Sequence, residues 1–126
     1  MNQRPINLEL TSLQYPPMAI ASILHRISGV ILFVLLPMML YFLARSLKSE
    51  SSFAELQLIL GSPLPKLLLW GFLSAGLYHL LAGIRHIFLD MGWGESVPAA
   101  RNSALLVILL AVPGIIGLGI WLWNII

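Results

Sequence analysis

Cysteine is absent from the sequence. That excludes disulfides, thiolate metal sites, iron–sulfur ligation and a cysteine nucleophile, so any metal held by this chain must be held by histidine or oxygen. Charge is nearly as scarce. Charged residues make up 10% of the chain, where soluble domains carry about 25%. No run of Lys or Arg occurs, which argues against nucleic acid as a partner. The sequence pI of about 9.4 reflects a shortage of acids, five Asp/Glu against seven Lys/Arg, and no basic tract. Apolar residues are what the chain has: 59% of 126 residues are hydrophobic and the mean hydropathy is +0.92.

A bilayer core about 30 Å thick needs roughly 20 apolar residues in helical form. Three stretches meet that requirement. The expectation is an all-α membrane protein, a single domain over residues 1–126, with transmembrane helices at about 18–44, 66–88 and 103–126. The first is interrupted only by His25 and Arg26, the second holds His79 deep inside it, and the third has no charged side chain. The first stretch does not read as a cleavable signal peptide, because it starts late, contains His25 and Arg26, and has no small-residue cleavage site. Ser62, Pro63 and Pro65 suit a helix start, and Asn102 and Ser103 can cap the third span. Pro37 and Pro113 fall inside spans, where they are expected to kink the helix. Residues 46–62 read as a surface loop with a short helix at 53–60.

Three spans put the two ends on opposite sides. Arg4, Arg26, Arg85 and Arg101 fall towards the N-terminal side, and Arg45, Lys48 and Lys66 towards the other. This excess favours a cytoplasmic N-terminus. Tyr15 and Trp93 on the first side, and Tyr41, Trp70, Trp121 and Trp123 on the second, suit interfacial aromatic belts.

Ionisable groups within a bilayer are costly and tend to be functional. Ser22 and Arg26 lie four residues apart and share a helix face, with His25 beside them. His79 lies six residues before Arg85, about 9 Å deeper at about 1.5 Å per residue. Ala75, Gly76, Ala82 and Gly83 surround it at helical spacing. Such small residues clear a flat recess that a planar macrocycle ligated by His79 would need; they equally permit close helix packing of the GxxxG kind. His86 is seven residues from His79, roughly 10 Å along the axis, so the two cannot ligate one iron from opposite sides. If Arg26 and Arg85 mark one interface, His25 lies near the depth of His86 and is also a poor partner. A second axial imidazole would then come from another chain. Arg26, Arg85, His25 and His86 form an expected cationic collar suited to an acidic group or a polarised carbonyl, with Asp90 neutralising part of it or ending the helix.

Two motifs go further. Arg4 and Pro5 followed by Ser22-x-x-His25-Arg26-x-Ser28-Gly29, and then His79-x-x-x-Gly83-Ile84-Arg85-His86-x-x-x-Asp90-x-Gly92, closely resemble the cytochrome b membrane-anchor subunit of succinate dehydrogenase. The likeness covers the N-terminal segment and the first two spans. Leu89 departs from the bulkier residue usual there, at a packing position. The resemblance implies three transmembrane helices forming half of a heterodimeric haem-binding bundle. It also implies a second hydrophobic anchor subunit, an iron–sulfur subunit and a flavoprotein subunit as partners. His79 would be the axial ligand of haem b, shared with the partner anchor, with His25, Arg26 and His86 near the haem propionates. Ser22 and Arg26 would line the site for ubiquinone, the substrate, with FAD and iron–sulfur clusters confined to the partner subunits. This chain would then perform no succinate chemistry itself.

The implied location is a bacterial inner membrane, with the N-terminus cytoplasmic; no transit peptide precedes Arg4 and Pro5. Three other readings use the same residues. One is a fumarate reductase anchor, with the chemistry reversed. Another is a small transport subunit with His79 as a proton relay, against which no carboxylate lies deep in any span. The third is a purely structural assembly subunit whose histidines only hydrogen-bond.

Overall fold

A computed structural model of the chain describes residues 16–126; Arg4, Pro5 and Tyr15 lie outside the described residues. Among the described residues four helices follow one another: α1 (Pro16–Lys48), α2 (Glu50–Gly61), α3 (Pro63–Asp90) and α4 (Val97–Ile125). The long helices α1, α3 and α4 are each long and apolar enough to cross a membrane. In hydrocarbon every backbone N–H and C=O must be paired within the segment, which is why these apolar runs close as continuous helices. The helical backbone continues through Pro37 and Pro113.

The helix ends show which residues punctuate the chain. Ser62 stands at the N-cap of α3 with proline in its first turn, as the sequence suggested. Two other expectations are corrected. The expected loop at 46–62 is almost wholly helical, because Ser49 adopts an extended conformation and its hydroxyl accepts from the Ser52 N–H at 3.1 Å, starting α2 at Glu50. Ser52 then donates to the Arg45 carbonyl at 2.8 Å, and Arg45 pairs with Glu55, which folds α2 back against the end of α1. Asn102 and Ser103 do not cap the last helix. Ser96 does, accepting from Ala99 N–H, with Pro98 preorganised in the first turn. Ser103 therefore lands inside α4.

The turn between α3 and α4 is built on a glycine. Gly92 has φ +83, the left-handed conformation glycine adopts without penalty. The Trp93 N–H bonds the Phe88 carbonyl and the Gly92 N–H the Leu89 carbonyl, the pattern of a Schellman cap. The Trp93 ring stacks on Phe88 at 5.5 Å between centroids, supplying the apolar contact that accompanies such caps.

α3 packs most extensively against α4 and α1, antiparallel to both. Tyr78, Ala82, Val107 and Ala111 form the buried cluster between α3 and α4. The Tyr78 hydroxyl donates to the Ala21 carbonyl of α1 at 2.8 Å. Towards the far end, the Trp70 indole N–H donates to the Ile115 carbonyl at 2.9 Å, and Lys66 lies 5.3 Å from the centre of the Trp123 ring. The outer surface stays apolar: Phe33 is 78% exposed, a surface for lipid or other helices and not for water.

Gly119 gives Trp70 its place. A Cβ there would lie 3.1 Å from the indole nitrogen and 3.3 Å from Cε2, and a rigid ring yields poorly. Gly119→Ala is expected to destabilise the protein in detergent by about 1–3 kcal/mol through overpacking, read as a lower thermal midpoint. In a Trp70→Phe background, where the indole is gone, the same substitution should cost measurably less.

Candidate functional site

α3 presents two polar faces offset by one residue. Residues 78, 82 and 85 follow the spacing i, i+4, i+7 on one face, and residues 79, 83 and 86 follow it on the next. The first face turns towards α4, with Tyr78 and Ala82 in the buried cluster. The second turns towards α1. A single residue step rotates a side chain by about 100°, so adjacent Arg85 and His86 serve different neighbours.

On the α1 side the three histidines gather. The His25 ring lies over His79, with centroids 4.2 Å apart and planes 12° from parallel. It also meets His86 at 4.8 Å, tilted by 41°. The depth assigned to His25 from the sequence is thus corrected: it sits between the other two. Antiparallel packing of α1 on α3 brings it there, and glycines make room. A Cβ on Gly83 would lie 3.7 Å from His25 Nε2, and one on Gly29 only 3.2 Å from His79 Cε1. His25 remains unsuited as a second axial ligand, for a different reason than depth. An imidazole lone pair lies in the ring plane, and stacked rings offer each other their faces.

The hydrogen bonds of His79 are decisive for its chemistry. Buried Ser28 donates its hydroxyl proton to the His25 carbonyl at 2.7 Å. Its oxygen lies 3.0 Å from His79 Nδ1, and the His25 carbonyl lies 3.3 Å from the same nitrogen. A carbonyl only accepts, and the hydroxyl has committed its one proton. A neutral imidazole that satisfies both contacts carries its hydrogen on Nδ1 and leaves the lone pair on Nε2. Among the described residues nothing hydrogen-bonds Nε2. Nor do three of His, Asp or Glu among them converge on a metal ion.

The small residues around His79 fill roles in packing. Ala82 and Ala75 are buried on the Tyr78 face. Gly76 looks onto Leu32 of α1, and Gly83 onto His25. Of the two readings of this pattern, close helix packing accounts for the contacts within the chain, and the space expected beside His79 is occupied by α1.

The expected collar is also corrected. Arg85 is buried and turns to α4, its Nε donating to Ser103 Oγ at 3.0 Å and its Nη2 to the Ala100 carbonyl at 3.2 Å. A cation at the edge of the hydrocarbon is held by neutral acceptors on the neighbouring helix because its face of α3 leads there. Ser22 is half-buried and Arg26 exposed on α1. They lie about one turn apart, and neither bonds another described side chain. His86 Nε2 is buried without a hydrogen-bond partner among the described residues. Asp90 ends α3, exposed. Ser103, which the sequence reading used only as a cap, and Ser28, quoted there without a role, prove to hold the two key nitrogens. Their signal was a serine amid apolar residues on a face shared with other polar groups.

Two grooves of about 340 Å³ lie between the helices. One is walled by Arg85, Phe88, Trp93 and Ser103, the other by Leu24, Ser28, Ser74 and Ile115. Neither includes Ser22, Arg26 or a histidine.

Residues 1–118 match the family model described as succinate dehydrogenase/fumarate reductase transmembrane subunit. The chain is 49% identical over 122 residues to the succinate dehydrogenase cytochrome b556 subunit of Coxiella burnetii, covering 96% of this chain and 98% of that one. The subunit of the same name from Paracoccus denitrificans is 35% identical over 101 residues, 80% and 78% of the two chains. That from Rickettsia prowazekii is 32% identical over 111 residues, 88% and 86%.

The Arg85 arrangement has a measurable consequence. Ser103→Ala strands a buried guanidinium N–H and is expected to cost about 1–3 kcal/mol. In an Arg85→Met background, where nothing is stranded, it should cost much less. A double-mutant cycle on thermal unfolding in detergent reads the difference.

Proposed function

Because the chain belongs to the succinate dehydrogenase/fumarate reductase transmembrane subunit family, we propose that it is the cytochrome b anchor that holds one side of haem b and helps build the quinone-reduction site. The haem would lie between this chain and a second hydrophobic anchor, its iron bonded on this side by His79 Nε2. The observation that carries this reading is the engagement of His79 Nδ1 by two acceptors, which leaves Nε2 as the imidazole donor. The name cytochrome b556 borne by the relatives points the same way. On this side His79 Nε2 would hold the iron, and any further imidazole would come from the partner anchor, since His25 offers His79 only its ring face. When bound, haem b supplies a one-electron reservoir beside the quinone.

His25, His86 and Arg26 would face the haem propionates, His86 through its unpaired buried Nε2. Arg85 is left out of that group by its bonds to α4. Ser22 and Arg26 would meet ubiquinone in a pocket completed by other subunits, in keeping with the exposed Arg26 side chain. The serine hydroxyl and the guanidinium donate to a quinone carbonyl oxygen and favour its reduced, more negative states. Two electrons from succinate, oxidised in the flavoprotein subunit and relayed by the iron–sulfur subunit, with two protons, convert the quinone to quinol. The N-terminal side would face the cytoplasm across a bacterial inner membrane, where the soluble subunits dock. Succinate oxidation is preferred over fumarate reduction because the three relatives compared are succinate dehydrogenase subunits. The proton-relay reading gains no support, since among the described residues no carboxylate joins the histidine group.

Arg26→Leu in the assembled complex should lower succinate:ubiquinone activity by an order of magnitude or more while leaving succinate oxidation by artificial dyes nearly intact. Equal activities in both assays would remove Arg26 from the quinone site. His79→Tyr should abolish or displace the b-type band of the reduced-minus-oxidised spectrum, and an unaltered spectrum would exclude ligation by His79.

A further inference from the structure

Ser28 is one of the few buried polar residues of the chain, and the reading above gives it no task. It lies three residues beyond His25 on α1, inside the span. Its hydroxyl makes two bonds of opposite sense: it donates to the His25 carbonyl at 2.7 Å and stands 3.0 Å from His79 Nδ1 as an acceptor. The neighbouring Gly29 permits this approach, because a Cβ there would press within 3.2 Å of His79 Cε1. The imidazole is thus gripped at one nitrogen by α1 while the other is left free.

We infer that Ser28 is a positioning residue for the iron ligand: by accepting the Nδ1 hydrogen it selects the tautomer of His79 whose Nε2 can bind iron, orients the ring, and raises its donor strength. The inference rests on the reading of His79 as the haem ligand. A ligating histidine whose second N–H is bonded to an acceptor is a stronger base. A stronger base stabilises the ferric over the ferrous iron, so Ser28 holds the reduction potential of the haem down. The His25 carbonyl, farther from Nδ1 at 3.3 Å, takes over only part of this role when the hydroxyl is removed. His25 therefore contributes through its backbone as well as through its ring.

The test is a redox titration of the b-type band in the purified, fully assembled complex, comparing the native chain with Ser28→Ala, Ser28→Thr and His79→Tyr. Ser28→Ala is expected to retain a b-type spectrum and to shift the ferrous-to-ferric ratio at a given potential by up to about tenfold towards ferrous, equivalent to a rise of about 59 mV for one electron. Ser28→Thr keeps the hydroxyl and should titrate near the native value, a rescue that a mere packing role would not produce. Should Ser28→Ala fail to assemble, Ser28→Cys, close in size but a weak acceptor, takes its place with the same expected direction. A native potential in Ser28→Ala, or an equal shift in Ser28→Thr, overturns the role of Ser28 while leaving His79 as ligand, provided His79→Tyr loses its band. A native spectrum in His79→Tyr overturns both.

Discussion

A helix that crosses hydrocarbon has no water to satisfy its polar side chains, and α3 carries a histidine and an arginine with N–H groups to place. Both are accommodated by the same device. On α1, Ser28 donates to the carbonyl three residues before it and accepts from His79. On α4, Ser103 donates to the Ala100 carbonyl, again three residues before it, and accepts from Arg85. Each serine saturates its proton within its own helix, a local bond open to helical serines, and so becomes an acceptor for α3. These two contacts tie α3 to α1 and to α4, beside the Tyr78 bond to Ala21, the Trp70 bond to Ile115 and the buried apolar cluster between α3 and α4.

The two devices differ in what they leave over. Arg85 makes bonds to two acceptors on α4 and closes that side of the helix as structure. His79 uses one nitrogen and keeps the other, so the α1 side retains a valence. A residue step of one along α3 separates the two outcomes, since it moves a side chain about 100° around the axis. Glycine governs how near the helices come. Gly29 and Gly83 admit the stacked histidines, and Gly119 admits the indole of Trp70.

The described residues present a largely apolar exterior. This surface can be covered by other membrane helices as readily as by lipid, and family membership places the chain among the transmembrane subunits of succinate dehydrogenase/fumarate reductase. The groove walled by Arg85 and Trp93 stands apart from the histidines and belongs to the structural side of α3.

Hydropathy and length were enough to read an all-α chain with three spans, because the cost of exposing backbone to hydrocarbon depends only on composition and run length. The order of His25, Arg26, His79 and His86 along the spans was enough to recognise the family. Other features lay beyond a one-dimensional reading. Whether Ser103 or Ser96 caps α4 depends on backbone conformation at the turn. The separation of Arg85 from His86, the insertion of His25 between His79 and His86, and the tautomer of His79 each depend on which helix lies against which face. Periodicity assigns residues to faces, but the partner of a face, and therefore the direction of a hydrogen bond, is set by three-dimensional packing.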